Sequence, residues 1–91
     1  MSKARRPTDI DRIRNKIDLI DSKIAFLLKE RARLASQIIL TKELAGAAVT
    51  DPKRESAIVK RYLATLTRPI KSKRVRQLVK AILELTPQYR S

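Results

Sequence analysis

The chain lacks two residue types that many active sites depend on. Its 91 residues include no Cys and no His, and only one Gly. Without Cys there is no disulfide framework and no cysteine-ligated zinc site. Without His the chain lacks the usual general base, the usual metal ligand and the Ser-His or Cys-His pairs of nucleophilic catalysis. These absences exclude several large classes of enzyme before any motif is considered.

Acidic residues and long apolar runs are also scarce. Nine Asp and Glu stand against 22 Lys and Arg, which gives a net charge of +13. Such a protein attracts anions, whether nucleic acid, an anionic membrane surface or a small anionic metabolite. No segment approaches the ~20 apolar residues of a membrane span, and no apolar stretch follows the basic N-terminus as in a signal peptide. We predict a cytoplasmic protein without a membrane span.

What the chain does contain is helix-forming aliphatic sequence. Hydrophobic residues make up 43% of the chain, and residues at alternating steps of three and four form a heptad seam. The seam consists of Ile10, Ile13, Ile17, Ile20, Ile24, Leu27, Arg31, Leu34 and Ile38. It predicts one helix from about Asp9 to Leu44, roughly 50 Å long at ~1.5 Å per residue. Thr8 or Asp9 would cap this helix.

Two shorter helices are predicted after it, with Gly46 marking the end of the first or the loop beyond. Asp51 is a suitable N-cap with Pro52 at the first helical position, and Ser72 is the predicted cap of the third helix. Pro87 would end or kink that helix. The predicted apolar faces are Ile58, Val59, Tyr62, Leu63 and Leu66, and then Val75, Leu78, Val79, Ile82 and Leu83. We predict an all-α domain over residues 9–91 after a basic, disordered tail at residues 1–8.

The length of the first helix predicts a partner. Two helices of about 15 residues are too short to cover a helix of ~50 Å, so part of the seam would stay exposed in a monomer. An exposed apolar stripe of that length is typical of an interface. We therefore expect a homodimer in which the long helices pair.

Arg31 is the unusual member of the seam, because an unpaired buried cation is unfavourable. Lys42 returns to almost the same face ~16 Å further along. Arg14, beside the seam, is ~25 Å from Arg31 along one straight helix, so a small ligand reaches both only if an antiparallel partner supplies Arg14. Taken alone, Arg14 and Lys42 are explained as well by snorkelling or by salt bridges. Arg54, in a helix first turn that favours anions, can grip a carboxylate.

These motifs together resemble a known family. "IDxID" followed by "LLxxR", Lys eleven residues after that Arg, and "DPxRE" beginning nine residues after the Lys are similar to the all-α chorismate mutases. The resemblance covers about residues 10–86. It implies an intertwined homodimer of three-helix chains that converts chorismate to prephenate by a pericyclic rearrangement, with no covalent intermediate, metal ion or cofactor. It implies a small dicarboxylate as ligand.

The resemblance also implies roles for individual residues. Arg31 and Arg54 would contact substrate carboxylate, with Arg14 supplied by the second chain. Lys42 would donate to the ether oxygen and a neighbouring carboxylate. Glu55 would take the substrate hydroxyl, helped by the backbone at Asp51. The other positions that the resemblance assigns to the site are Ile38 and Leu83, as an apolar wall, and Thr86, where the family often has Ser or Asn.

One position departs from the family pattern. Four residues after Thr86, where the family usually carries Gln or Glu as a second donor to the ether oxygen, this chain has Arg90. Gln88 lies two residues earlier, and Pro87 disturbs the helix between them. We expect Arg90 to serve as a permanently charged donor, with Gln88 turned inward or a frayed helix end as the alternatives.

Other functions stay open on the sequence. Relatives on this scaffold include 4-amino-4-deoxychorismate mutases and isochorismate-pyruvate lyases, and a dimer that has lost the chemistry at Arg90 is a further alternative. From another class, a nucleic-acid-binding helical dimer would use the basic run of residues 68–80 for phosphate contacts. Only three aromatic residues are present, so base stacking is poorly supported. The run could instead steer an anionic substrate or dock another enzyme.

Overall fold

The computed structural model describes residues 8–48 and 50–85, and the regular structure in these ranges is entirely helical. Helix α1 spans Asp9–Leu44, α2 spans Pro52–Thr65 and α3 spans Ser72–Glu84. The predicted all-α class and the bounds of α1 are confirmed. No helix in the described ranges has the length and apolar content to cross a membrane. The predictions for the N-terminal tail before Thr8, and those for Thr86, Pro87, Gln88 and Arg90, lie outside the described residues.

Both ends of α1 are fixed by local hydrogen bonds. At the start, the Asp11 N–H donates to Thr8 Oγ1 at 3.0 Å and the Thr8 N–H donates to Asp11 Oδ2 at 3.2 Å, a reciprocal cap. At the end, Gly46 adopts φ of 71°. The N–H groups of Ala47 and Gly46 donate to the carbonyls of Lys42 and Glu43 at 2.8 and 3.1 Å. This is a Schellman motif, which needs a residue that tolerates positive φ.

The starts of the two shorter helices differ. Asp51 caps α2 as predicted, since its side chain accepts the Arg54 N–H at 3.1 Å and Pro52 occupies the first helical position. The prediction that Ser72 caps α3 is wrong. Ser72 is already helical, and the extended residue before it is Lys71, whose side chain makes no capping hydrogen bond. A lysine side chain has only donors, so it offers nothing to the exposed N–H groups of the first turn.

The chain divides after Glu30 into two compact units. We call residues 8–30 the N-terminal unit and the described residues from 31 to 85 the C-terminal unit. The core of the C-terminal unit lies between α2 and α3, where Ile58, Val75 and Val79 are buried. The residues packed against this core are Val59, Tyr62, Leu63, Leu66 and Leu83. Both predicted apolar faces are therefore confirmed, although Leu78 at the edge of α3 is 45% exposed.

The N-terminal unit consists of the first part of α1 and exposes its seam. The exposed fractions are Ile10 60%, Ile13 56%, Ile17 49%, Ile20 54%, Ile24 48% and Leu27 62%. In the C-terminal unit, the seam residues Leu34 and Ile38 are also about half exposed. The seam is thus an open apolar stripe in the single chain, as the sequence predicts.

Candidate active site

Seven of the residues that the sequence assigns to a site line one cavity in the C-terminal unit. We call this cavity, of about 130 Å³, the inner cavity. Its predicted members are Arg31, Ile38, Lys42, Asp51, Arg54, Glu55 and Leu83. Its other members are Ala35, Ile39 and Ile58. Polar groups from α1 and α2 and apolar side chains from all three helices therefore meet at one place.

Helical periodicity explains how α1 supplies its share. Arg31, Ala35 and Lys42 recur at steps of four and seven, about one turn and two turns, which places them on one face of α1. On α2, the cap at Asp51 begins the helix so that Arg54 and Glu55 fall in its first turn. There the exposed backbone N–H groups add a positive potential to the cations. The local sequence thus fixes which side chains each helix presents to the cavity.

The cationic side chains of the inner cavity are available to bind an anion. Arg31 and Lys42 are half-buried and Arg54 is exposed. Within the described residues, none of these three side chains makes a hydrogen bond or an ion pair. A half-buried guanidinium is stabilised by an anion. The unusual position of Arg31 is therefore consistent with a counter-ion that arrives with a ligand.

Asp51 has a mainly structural part in this geometry. Its carboxylate accepts the Arg54 N–H at 3.1 Å, and its backbone carbonyl accepts the Glu55 N–H at 3.0 Å. Both bonds hold the first turn of α2 in place. The position of Arg54 and Glu55 in the cavity therefore depends on the cap.

The apolar wall is larger than the sequence indicates. Ile38 and Leu83 line the cavity as expected, but Ile38 remains 56% exposed. Ile39 and Ile58, each 6% exposed, are the buried members of the wall. The resemblance assigned Ile38, a seam residue, to the wall. Ile39 lies four residues after Ala35, on the face that turns toward the cavity. Counting in fours from Arg31 would have reached Ala35 and Ile39.

A second cavity adjoins the first. We call this cavity, of about 360 Å³, the outer cavity; it shares Arg31, Arg54 and Ile58 with the inner one. Its remaining members are Arg61, Tyr62, Thr65 and Leu66. Arg61 was not among the residues that the sequence indicated, because nothing in its local pattern separates it from Lys60 or any other exposed cation.

The remaining predicted residues lie elsewhere. Arg14 is an exposed residue of the N-terminal unit and lines neither cavity. Thr86, Gln88 and Arg90 lie outside the described residues. In the described ranges there is no group of three or more Asp or Glu side chains placed to hold a metal ion. The residues brought together suit a small anion, which charge-assisted hydrogen bonds would hold against an apolar wall.

Comparisons with known proteins agree with this chemistry. The family model for chorismate mutase type II matches residues 13–90. The chorismate mutase of Methanocaldococcus jannaschii is 45% identical over 49 residues, 54% of this chain and 50% of that protein, so the match spans half the relative's length. The structure of chorismate mutase (form I) from Thermus thermophilus has a TM-score of 0.78 and 29% identity, covering 87% of this chain and 99% of that chain.

The extent of the family match settles the classification. It includes α1 from Ile13 onward, all of α2 and α3, and every residue that lines the two cavities. The solved structure is similar over nearly its whole length. By sequence and by fold, this chain belongs to the chorismate mutase type II family.

Proposed function

We propose that the protein is a chorismate mutase, an isomerase that rearranges chorismate to prephenate. The observation that carries the proposal is the inner cavity, where three cationic side chains from two helices face an apolar wall. A unimolecular rearrangement needs no nucleophile and no redox partner, so a chain without Cys and His is not handicapped. We also propose that the reaction uses no metal ion or cofactor.

Positioning accounts for one part of the rate. The substrate's two arms must be folded together before the new bond forms, and holding reacting atoms in such a geometry removes a large part of the barrier. Arg31 and Arg54 would hold the substrate's carboxylates, and each guanidinium offers two parallel donors to a carboxylate. Ile39, Ile58 and Leu83 would support the folded ring from the apolar side.

Electrostatic stabilisation accounts for the other part. As the C–O bond breaks, negative charge grows on the ether oxygen, and a donor fixed near that oxygen stabilises the transition state more than the ground state. We propose Lys42, a half-buried cation of the inner cavity, for this role. Glu55 would accept a hydrogen bond from the substrate hydroxyl, with the Asp51 backbone beside it. The buried apolar wall lowers the local dielectric and strengthens each of these interactions.

The complete site would need a second copy of the chain. We propose a homodimer with paired α1 helices, in which Arg14 of the partner subunit reaches the inner cavity. The exposed seam of α1 supports this proposal, because an apolar stripe of that extent is typical of an interface. Thr86 and either Arg90 or Gln88 would complete the site, with Arg90 the preferred donor to the ether oxygen.

A substrate panel tests the activity. Purified protein with a metal chelator should consume chorismate, and the product should be identified as prephenate. The same assay with 4-amino-4-deoxychorismate and isochorismate tests the two related activities, which no observation here favours. Unchanged chorismate absorbance at high protein concentration would contradict the proposal.

A binding assay tests the nucleic-acid alternative. The basic side chains of the 68–80 run are exposed, which is also what a solvated helix face shows. Steep salt-dependent binding of duplex DNA at physiological ionic strength would support that alternative. No binding above micromolar protein would exclude it. A cytoplasmic location stays a prediction, which fractionation of the source cells would test.

A further inference from the structure

The outer cavity has an excess of positive charge. Three arginines, Arg31, Arg54 and Arg61, line it. The remaining lining residues are Ile58, Tyr62, Thr65 and Leu66. The lining that the described residues supply contains no Asp or Glu. The Arg61 guanidinium makes no hydrogen bond or ion pair within the described part of the chain. Arg31 and Arg54 are accounted for by the proposed substrate, but Arg61 is not.

The residues that line the two cavities also show which way α2 runs relative to α1. Lys42 shares the inner cavity with Asp51 and Arg54, at the start of α2. Arg31, three turns earlier on α1, shares the outer cavity with Thr65, at the end of α2. Within the C-terminal unit, α2 therefore runs antiparallel to α1. In the proposed dimer the partner's α1 is also antiparallel to α1, so it would run parallel to α2.

Two pairs of charged residues, one pair on α2 and one on α1, have the same spacing along their helices. Arg54 and Arg61 are seven residues apart on α2, and Arg14 and Asp21 are seven residues apart on α1, about 10.5 Å in each case. Seven residues fall only about 20° short of two full turns, so the members of each pair share a face. If Arg14 of the partner subunit enters the site beside Arg54, Asp21 of the partner subunit arrives beside Arg61.

The N-terminal unit is neutral overall and offers carboxylates for such a contact. Five of the chain's nine acidic residues lie in residues 8–30. Asp21 lies on the same edge of the seam as Arg14, whereas Asp18 lies about 60° further from the seam at 100° per residue. Asp21 is therefore the acidic residue whose spacing and face both match Arg61.

We infer that Asp21 of the partner subunit pairs with Arg61 and fixes the register that delivers Arg14 of the partner subunit to the site. Arg61 is then a positioning residue that does not touch the substrate. The inference rests on the proposed function through its dimer, and it adds the pair that sets the alignment. It also identifies the outer cavity as a contact for a second copy of this chain.

Charge exchange tests the pair. Asp21→Arg and Arg61→Asp should each raise the dimer dissociation constant about tenfold or more, because each places like charges together. The double variant should restore it to within about threefold, since only interacting residues show such coupling. Analytical ultracentrifugation gives the dissociation constant. The value of kcat/KM, measured across a range of protein concentrations, should follow the dimer fraction.

Asp18→Arg is the matched control, because it makes the same charge change one turn away and should leave the dissociation constant near that of the natural protein. If the charge-exchange variants do not fold, Asp21→Asn and Arg61→Gln give the same double-mutant cycle with smaller effects. Additive effects in the cycle would overturn the inference. So would a raised KM in Arg61→Asp with an unchanged dimer, which would place Arg61 on the substrate or another anion. A stable dimer that does not turn over chorismate would contradict the proposed function but not the pairing of Asp21 with Arg61.

Discussion

The two units of the chain differ in charge and in burial. The N-terminal unit, residues 8–30, has five basic and five acidic residues, whereas residues 31–85 have thirteen basic and four acidic residues. The seam of the N-terminal unit is about half exposed, while the C-terminal unit buries Ile58, Val75 and Val79 in a core of its own. The C-terminal unit thus supplies a core and the cations of the cavities, and the N-terminal unit supplies an apolar stripe with carboxylates beside it.

This difference indicates what each unit requires. A segment with its apolar residues exposed gains stability when a partner covers them. In the described lining of each cavity, the cationic side chains outnumber the carboxylates, so they need an anion from a ligand or from another chain. Under the proposed function, the substrate supplies this anion at the inner cavity. A carboxylate of the second copy supplies it at the outer cavity. Substitutions confined to one unit therefore separate the two requirements.

The largest expected effect falls on the C-terminal unit, in Arg31→Ala. Loss of this guanidinium should lower kcat/KM for chorismate about 10²-fold or more, because it removes the charged donor that would hold a substrate carboxylate in the reactive geometry. The dimer should persist, because every apolar residue of the exposed stripe is unchanged. Steady-state kinetics and ultracentrifugation provide the two measurements. Lys53→Ala, which removes a cation that lines neither cavity, is the matched control, and equal losses in both variants would show that only net charge matters.

Next in size is a charge placed in the stripe of the N-terminal unit, in Ile20→Asp. If the stripe is the dimer interface, an unpaired carboxylate there should raise the dissociation constant about 10²-fold. Activity at a fixed low protein concentration should fall in parallel. Asn15→Asp introduces the same residue on the opposite side of α1, about 140° away at 100° per residue. A dimer that tolerates Ile20→Asp as well as Asn15→Asp would show that the stripe is not the interface.

A smaller effect is expected from truncation in the core of the C-terminal unit. Val79 is 1% exposed, and Val79→Ala should lower the free energy of unfolding by about 2 kcal/mol through lost burial and the cavity left behind. Leu19→Ala removes more apolar atoms from a residue that is 66% exposed, yet it should change stability by only about 0.5 kcal/mol. Urea unfolding at one protein concentration measures both. Equal losses would mean that Leu19 is buried in the assembled protein.

The smallest predicted effect concerns the end of α1. Gly46 has φ of 71°, and a Cβ added there would meet no atom within 4 Å. Gly46→Ala should therefore lower stability by about 1 kcal/mol through backbone strain alone. Asn tolerates this conformation better, so Gly46→Asn should lose less. Thermal unfolding of the two variants gives the comparison, and equal stability of Gly46→Ala and the natural protein would exclude strain at this position.

The helices were predictable because their signals are local. The heptad spacing gave the extent of α1, and Asp51 and Gly46 marked a start and an end through capping chemistry. The prediction for Ser72 was wrong because a serine near a helix start resembles a cap. The structure begins α3 at Ser72 itself, one residue earlier than a Ser72 cap would allow. A shift of one residue at a helix end depends on the backbone of the preceding loop, which the sequence does not specify.

The site was predictable only in part. Arg31, Lys42, Arg54 and Glu55 follow from motif spacing, and the structure brings them to one cavity. Ile39 and Ile58 were missed as wall residues, because a seam identified by periodicity gives one face of a helix and not the neighbour that this face meets. Arg61 was missed for a related reason, since an exposed cation gains meaning only from the cavity that it lines.

The sequence by itself determined the helical class, the spacing of the cations that line the inner cavity, the exclusion of Cys and His chemistry, and the family. These features depend on residue type and on spacing along one helix, which are fixed by the covalent chain and by 3.6 residues per turn. Only the tertiary structure decided which isoleucines are buried in the wall and which cavity Arg61 lines. Those outcomes depend on contacts between helices, and packing among distant residues is not encoded in the period of any one helix.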